Sequence, residues 1–145
     1  MAEKTLGPDH PFLASISSNL GAVYYRREKY AEARPLFERS LAILETALEP
    51  DNPLLAQSLN HVAAVYEQLG SYAAAEPLCK RSLAILEKPV APDYPALIQA
   101  LQNYAFLLAK TGRTVEAEPV ATRALVYEAK YKEMIRQGRM KSPLP

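Results

Sequence analysis

The sequence predicts an all-α fold, an α-solenoid of three helix–turn–helix units, and three observations predict it. Prolines recur at a spacing of 42 residues, as Pro8, Pro50 and Pro92, as Pro11, Pro53 and Pro95, and as Pro35, Pro77 and Pro119. Apolar side chains between them recur at three- and four-residue steps, the pattern of amphipathic helices. Gly70 and Gly112 stand one period apart, where a helix needs a residue that accepts a left-handed backbone. A fixed period in the range of about 20 to 50 residues marks a solenoid or array. The same register holds at Asp9, Asp51 and Asp93, at Ala33, Ala75 and Ala117, and at Arg39, Arg81 and Arg123.

Each unit reads as two helices. The first begins after a Pro-Asp-x-Pro signal, where a proline in the opening turn wastes no hydrogen bond and an Asp can cap. In the second unit it spans about 54–69, with Leu55, Leu59, Val62, Ala63 and Tyr66 inward. Glu28 holds the place of Gly70, so the first turn should be the strained one. The second helix opens near Tyr30, Ser71 or Thr114 and turns Ala75, Leu78, Cys79, Ser82 and Leu83 inward. Pro77 and its equivalents fall about five residues into that helix, where each deletes a backbone bond and should bend the first turn.

The ends differ from the middle. Glu3-Lys-Thr-Leu6 aligns with Glu45-Thr-Ala-Leu48 and is expected to form a partial helix at the N-terminus. The last helix should extend through Tyr127, Tyr131, Met134 and Ile135 to about Gly138. The expected organisation is one domain over 1–137, with repeats at about 8–49, 50–91 and 92–133, and a flexible tail at 138–145.

Composition narrows the chemistry. Seventeen basic against 16 acidic side chains argue against a phosphate-binding surface and so against nucleic acid as partner. One cysteine, Cys79, excludes an intrachain disulfide and a Cys-rich zinc site. Neither a secretory leader nor an apolar run near the roughly 20 residues of a membrane span is present, and a cytoplasmic protein is expected. There is no Gly-rich phosphate loop, nucleophile elbow or paired carboxylate motif, so no catalytic residue, cofactor, metal or small-molecule substrate is expected.

The columns resemble the tetratricopeptide repeat, TPR, in its longer kinesin-light-chain-like form. The second unit carries that pattern as Ala56-Gln-Ser-Leu-Asn-His-Val-Ala-Ala-Val-Tyr66, Gly70-Ser-Tyr72, Ala75-Glu-Pro-Leu78 and Arg81-Ser-Leu83; the connector reads Gly7-Pro-Asp-His-Pro11. Departures are Ser17 for a first-helix Leu, Leu108 in the column of Tyr24 and Tyr66, and Thr114 in that of Tyr30 and Tyr72. The resemblance implies close helix packing at Gly21, Ala63 and Ala105, and a concave face lined by the first helix of each unit. It also implies a protein–protein interaction scaffold that grips an extended peptide or partner segment there.

The candidate peptide-binding residues are Asn19, Tyr25, Arg26, Asn60, His61, Gln99, Asn103, Phe106 and Lys110. Amides both donate and accept, which suits an extended backbone; Tyr25 and Phe106 would add apolar contact. Substituting Asn60 and Asn103 together by Ala should weaken binding without changing stability. Amides on a helix are also commonly just solvated, His61 has no second ligand at metal spacing, and Cys79 reads as core packing. Arg39, Arg81 and Arg123 read as a structural ladder that pairs with Glu or helix ends. The alternative function is self-association through the array ends, a homo-oligomer docked by the Tyr127 to Ile135 extension. Anion binding by Lys130, Lys132, Arg136, Arg139 and Lys141 is a weaker reading than a solvated helix end.

Overall fold

The computed structural model describes residues 10–89 and 93–139. Six α-helices order these residues: α1 (Pro11–Arg26), α2 (Tyr30–Ala47), α3 (Pro53–Gln68), α4 (Tyr72–Glu87), α5 (Tyr94–Lys110) and α6 (Thr114–Arg136). They pair as three hairpins, α1 with α2, α3 with α4 and α5 with α6; α2 then packs on α3 and α4 on α5. The expected all-α array is therefore what forms, and α6 runs on as the extended last helix. The expected partial helix at Glu3–Leu6 and most of the expected tail lie outside the described residues.

The helix starts follow the proline columns. Pro11, Pro53 and Pro95 sit in the opening turn of α1, α3 and α5. The capping side chain varies: His10 Nδ1 accepts from the Phe12 amide at 3.1 Å, Asn52 Oδ1 from Leu54 at 2.9 Å, and Asp93 Oδ1 from Ala96 at 3.2 Å. Asp51 does not cap; its carboxylate pairs with Lys88 at 2.7 Å. Pro35, Pro77 and Pro119 lie inside α2, α4 and α6, each of which continues unbroken past its proline.

The three hairpin turns share one hydrogen-bond pattern. Lys29, Ser71 and Arg113 amides donate to the carbonyls of Tyr24, Tyr66 and Leu108 at 2.8–2.9 Å. Glu28, Gly70 and Gly112 donate to Tyr25, Glu67 and Ala109 at 2.9–3.2 Å. This pair of bonds closes a helix only if the residue between turns left-handed. Gly70 and Gly112 do so at φ 78° and 80°, and Glu28 does so at φ 59° with a side chain attached. The strain expected at the first turn is located there.

Packing holds the hairpins in register. Leu55, Leu59, Leu83, Leu86, Leu97 and Leu101 form the central core, with Leu41 and Leu44 of α2 against it. Along the second helices the arginine column makes the expected ladder: Arg81 pairs with Glu45 at 2.7 Å and Arg123 with Glu87. Both pairs are half exposed, so each contributes roughly 1 kcal/mol or less. On α6, Tyr127 and Tyr131 pack on Tyr94 of α5, each with ring centroids 6.0 Å apart. The extension is thus used within the chain.

Candidate functional site

The first helices α1, α3 and α5 expose one common face, and a pocket of about 280 Å³ opens on it. Six of the nine candidate residues meet there: Tyr25 and Arg26 from α1, Asn60 and His61 from α3, and Gln99 and Asn103 from α5. Ala22 and Ala64 keep the walls low. Asn19 lies in a neighbouring depression of about 320 Å³ with Ser15, Ser18 and Gln57. His61 lines both pockets and forms the partition, its Nδ1 3.3 Å from Ser18 Oγ. Phe106 and Lys110 line neither pocket. They form a separate pair farther along α5, with the Lys110 ammonium 5.4 Å from the Phe106 ring centroid.

The floor is Phe37, a second-helix residue that sequence reasoning missed as a groove element. Its ring stacks under His61 with centroids 5.0 Å apart and meets Tyr25 edge-on at 6.4 Å. Tyr25 in turn meets Tyr30 edge-on at 5.1 Å, so an aromatic chain stiffens this wall. Gly21 makes room: a Cβ there would stand 3.0 Å from the Phe37 ring. The signal was in the columns, where the only glycine among Gly21, Ala63 and Ala105 coincides with the only aromatic among Phe37, Cys79 and Ala121.

The polar groups of the site fall into two kinds. Asn60 is buried and bound inside the chain. The Ser82 hydroxyl donates to its Oδ1 at 2.6 Å, and its Nδ2 reaches the Ala96 carbonyl of the next hairpin at 3.5 Å. Asn60 therefore ties α3 to α4 and α5, and an alanine there would strip the Ser82 hydroxyl of its closest acceptor. The expectation that Asn60 could be truncated without loss of stability does not fit this geometry. Asn103 is different. Its Oδ1 accepts from Gln99 Nε2 at 2.8 Å, while its buried Nδ2 finds no acceptor among the described residues.

Electrostatics keep the pocket nearly neutral. Burial holds the His61 pKa below its ordinary 6.5, so the ring is uncharged near neutral pH. Burial raises the Tyr25 hydroxyl, with Gln68 as its hydrogen-bond partner. Glu67 of α3 turns inward and is buried. Burial pushes its carboxyl up to about 7, against a Cys79 Sγ 3.6 Å away that donates to it. Cys79 is buried as expected, and its thiol is pushed up by burial and by Glu67. Arg26 is the cation at the pocket rim. Among the described residues no group of three or more His, Cys, Asp or Glu could hold a metal, and no helix is long and apolar enough to cross a membrane.

Comparison with known proteins agrees with this geometry. The tetratricopeptide repeat family matches residues 1–46, 12–88 and 54–125, overlapping spans that reach across most of the chain. Among solved structures, BtubC (BKLC) from P. vanneervenii superposes with a TM-score of 0.80 at 19% identity, over 90% of this chain and 52% of that one. A Podosopora anserina protein assigned as a kinesin light chain, built of nearly identical TPR-like repeats, gives 0.70 at 24% identity, over 90% and 62%. A point variant of that protein gives 0.72 at 23%, over 91% and 62%. The chain thus spans between about half and two thirds of these structures, and at such identities they speak for the fold. No curated relative matches. The repeat columns, the stacked hairpins and the family match agree: the chain belongs to the tetratricopeptide-repeat family.

Proposed function

We propose that this array is a scaffold that binds an extended segment of a protein partner along its concave face, with the Tyr25–Asn103 pocket as the anchoring point. Tetratricopeptide repeats generally mediate protein–protein interactions, which supports the broad reading. The observation that carries the narrower one is Asn103 Nδ2, a buried donor without an acceptor on the wall of a pocket. An unpaired buried amide costs the free protein about 1–3 kcal/mol, and a peptide carbonyl that displaced the exposed Gln99 side chain to reach the closed-off Nδ2 would relieve that cost. Gln99 fixes the amide's orientation, and Phe37 with Tyr25 offers an aromatic floor to one apolar side chain. Arg26 and the Phe106–Lys110 pair stand where a longer segment would continue. The three hairpins act as one cytoplasmic binding domain without catalysis, with residues after 137 outside it.

The test is a selection of binding peptides from a random library on the purified chain, followed by affinities for the parent and for Asn103→Ala. The variant should lose roughly tenfold in affinity, the scale of one hydrogen bond from a desolvated donor. The Asn103 side-chain amide resonances should shift on titration of the parent. Peptides that bind both proteins equally and leave those resonances in place would remove the pocket assignment.

A second reading, self-association through the array ends, is supported by one observation. Ile16, Leu20 and Leu125 are exposed at positions whose counterparts in the other hairpins are buried or partly buried.

A further inference from the structure

We infer that His61 makes the groove release its partner in acid: an uncharged extended segment binds across the neutral ring and leaves when the ring takes a proton. This rests on the groove reading of the proposed function and adds its regulation. The repeat itself singles out the residue. Its column holds Asn19 and Asn103, so the middle hairpin sets a titratable ring where the outer two set amides. His61 lines three depressions: the Tyr25–Asn103 pocket, the one beside Asn19, and a third of about 240 Å³ with Gln57 and Asp93. A segment that runs from one to the next has to cross it.

The free chain fixes this ring and leaves it open. Phe37 stacks against it and Ser18 Oγ meets its Nδ1, while the residue remains exposed. A covering segment takes more water from the ring, and an imidazolium buried without a counter-charge is penalised where the neutral form is not. The surroundings offer little counter-charge. From α1 come the Arg26 guanidinium, a like charge, and the Tyr25 hydroxyl; α2 presents the Phe37 ring. Asp93 at the head of α5 is the one carboxylate lining the three depressions among the described residues, and its Oδ1 already accepts from the Ala96 amide at 3.2 Å. Gln57, Asn60 and Gln99 on either side are amides, suited to a neutral backbone. Burial already holds the ring below its ordinary 6.5, and occupancy deepens that burial. Binding is therefore at full strength above 6.5 and weakens as pH falls through the lower value of the free ring.

The test uses peptides with blocked termini, selected on the full chain at about pH 7.5 from a random library lacking Asp, Glu and His, so that the peptide itself does not titrate. Affinity for the parent should fall about three- to tenfold between about pH 7.5 and pH 5, a range set by how far occupancy moves the ring's pKa. Proton NMR of the His61 ring should show that pKa falling when peptide is added. His61→Asn, which repeats the residue of its own column, should bind with a flat pH profile. A flat profile in the parent would overturn the pH dependence and leave the groove reading standing. So would a fall that persists in His61→Asn, which keeps His10 and Glu67. Affinity that rises in acid would overturn it as well, since that is the sign of a counter-charge at the ring. If circular dichroism shows that His61→Asn has lost helicity, the parent's ring decides alone, and a pKa unmoved by peptide overturns the inference. A library without any binder at about pH 7.5 would remove the groove reading and this inference together.

Discussion

Asn60 and Asn103 lie on adjacent first helices with nearly equal burial, 5% and 9% exposed, and in opposite hydrogen-bonding states. Asn60 spends its amide on Ser82 and Ala96 and so belongs to the packing between hairpins. Asn103 leaves its Nδ2 without a partner among the described residues, an unfavourable state for a buried amide. Burial alone does not separate two such amides; the count of satisfied donors does.

Glu67, a buried carboxyl on the same helix as Asn60, gives the largest expected effect and sharpens the rule. Its carboxyl titrates near 7 in the folded chain against an ordinary 4.5, so the folded state holds the proton more tightly than the unfolded one. The associated stability is fully present below the unfolded value and is lost as pH rises through about 7, above which it stays lost. The shift corresponds to roughly 3 kcal/mol. Glu67→Gln, which keeps a polar group of the same shape beside Cys79, should gain on the parent by about that amount at alkaline pH and lose the advantage in acid. Urea melts at several pH values check this, and parallel pH profiles for the two proteins would refute it.

The next effect sets the two asparagines directly against each other. Asn60→Leu should destabilise by about 1 kcal/mol, because the Ser82 hydroxyl loses its closest acceptor and keeps only the Ala56 carbonyl at 3.2 Å, while the Ala96 carbonyl loses a long donor contact. Asn103→Leu should leave stability unchanged or raise it by up to about 1 kcal/mol, since an unpaired donor disappears. Equal losses in thermal melts of the two variants would break the distinction. The smallest effect lies at the first hairpin turn. Glu28→Gly should stabilise by roughly 0.5–1 kcal/mol, because a side chain at positive φ is strained while glycine is not. Gly70→Glu should do the reverse.

Most of the fold was legible because the repeat printed it three times. The prolines marked the starts of α1, α3 and α5, and the glycines marked two of three turns. The arginine column announced the ladder, which formed with Glu45 and Glu87. The site was legible by face but not by role. Counting outward from the core columns brought Tyr25, Arg26, His61, Gln99 and Asn103 to one pocket. It did not separate Asn60 from Asn103: they stand in neighbouring columns, Asn60 with Ser18 and Gln102 and Asn103 with Asn19 and His61, and of the two Ser82 of the next helix engages only Asn60. The inward turn of Glu67 was not legible: its column holds Tyr25 and Ala109, and the small Cys79 opposite leaves room for a carboxyl to turn inward. Phe37 was not among the candidates, and its reach into the groove depends on the missing Cβ of Gly21.

Each hairpin touches its neighbours in sequence, so the α3–α4 pair is flanked on both sides while the other two pairs are flanked on one. Local opening must then begin at the outer pairs and travel inward, and amide hydrogen exchange should be slowest in α3 and α4. A segment lying across α1, α3 and α5 would bridge all three pairs, turning an array that opens piecemeal into one cooperative unit.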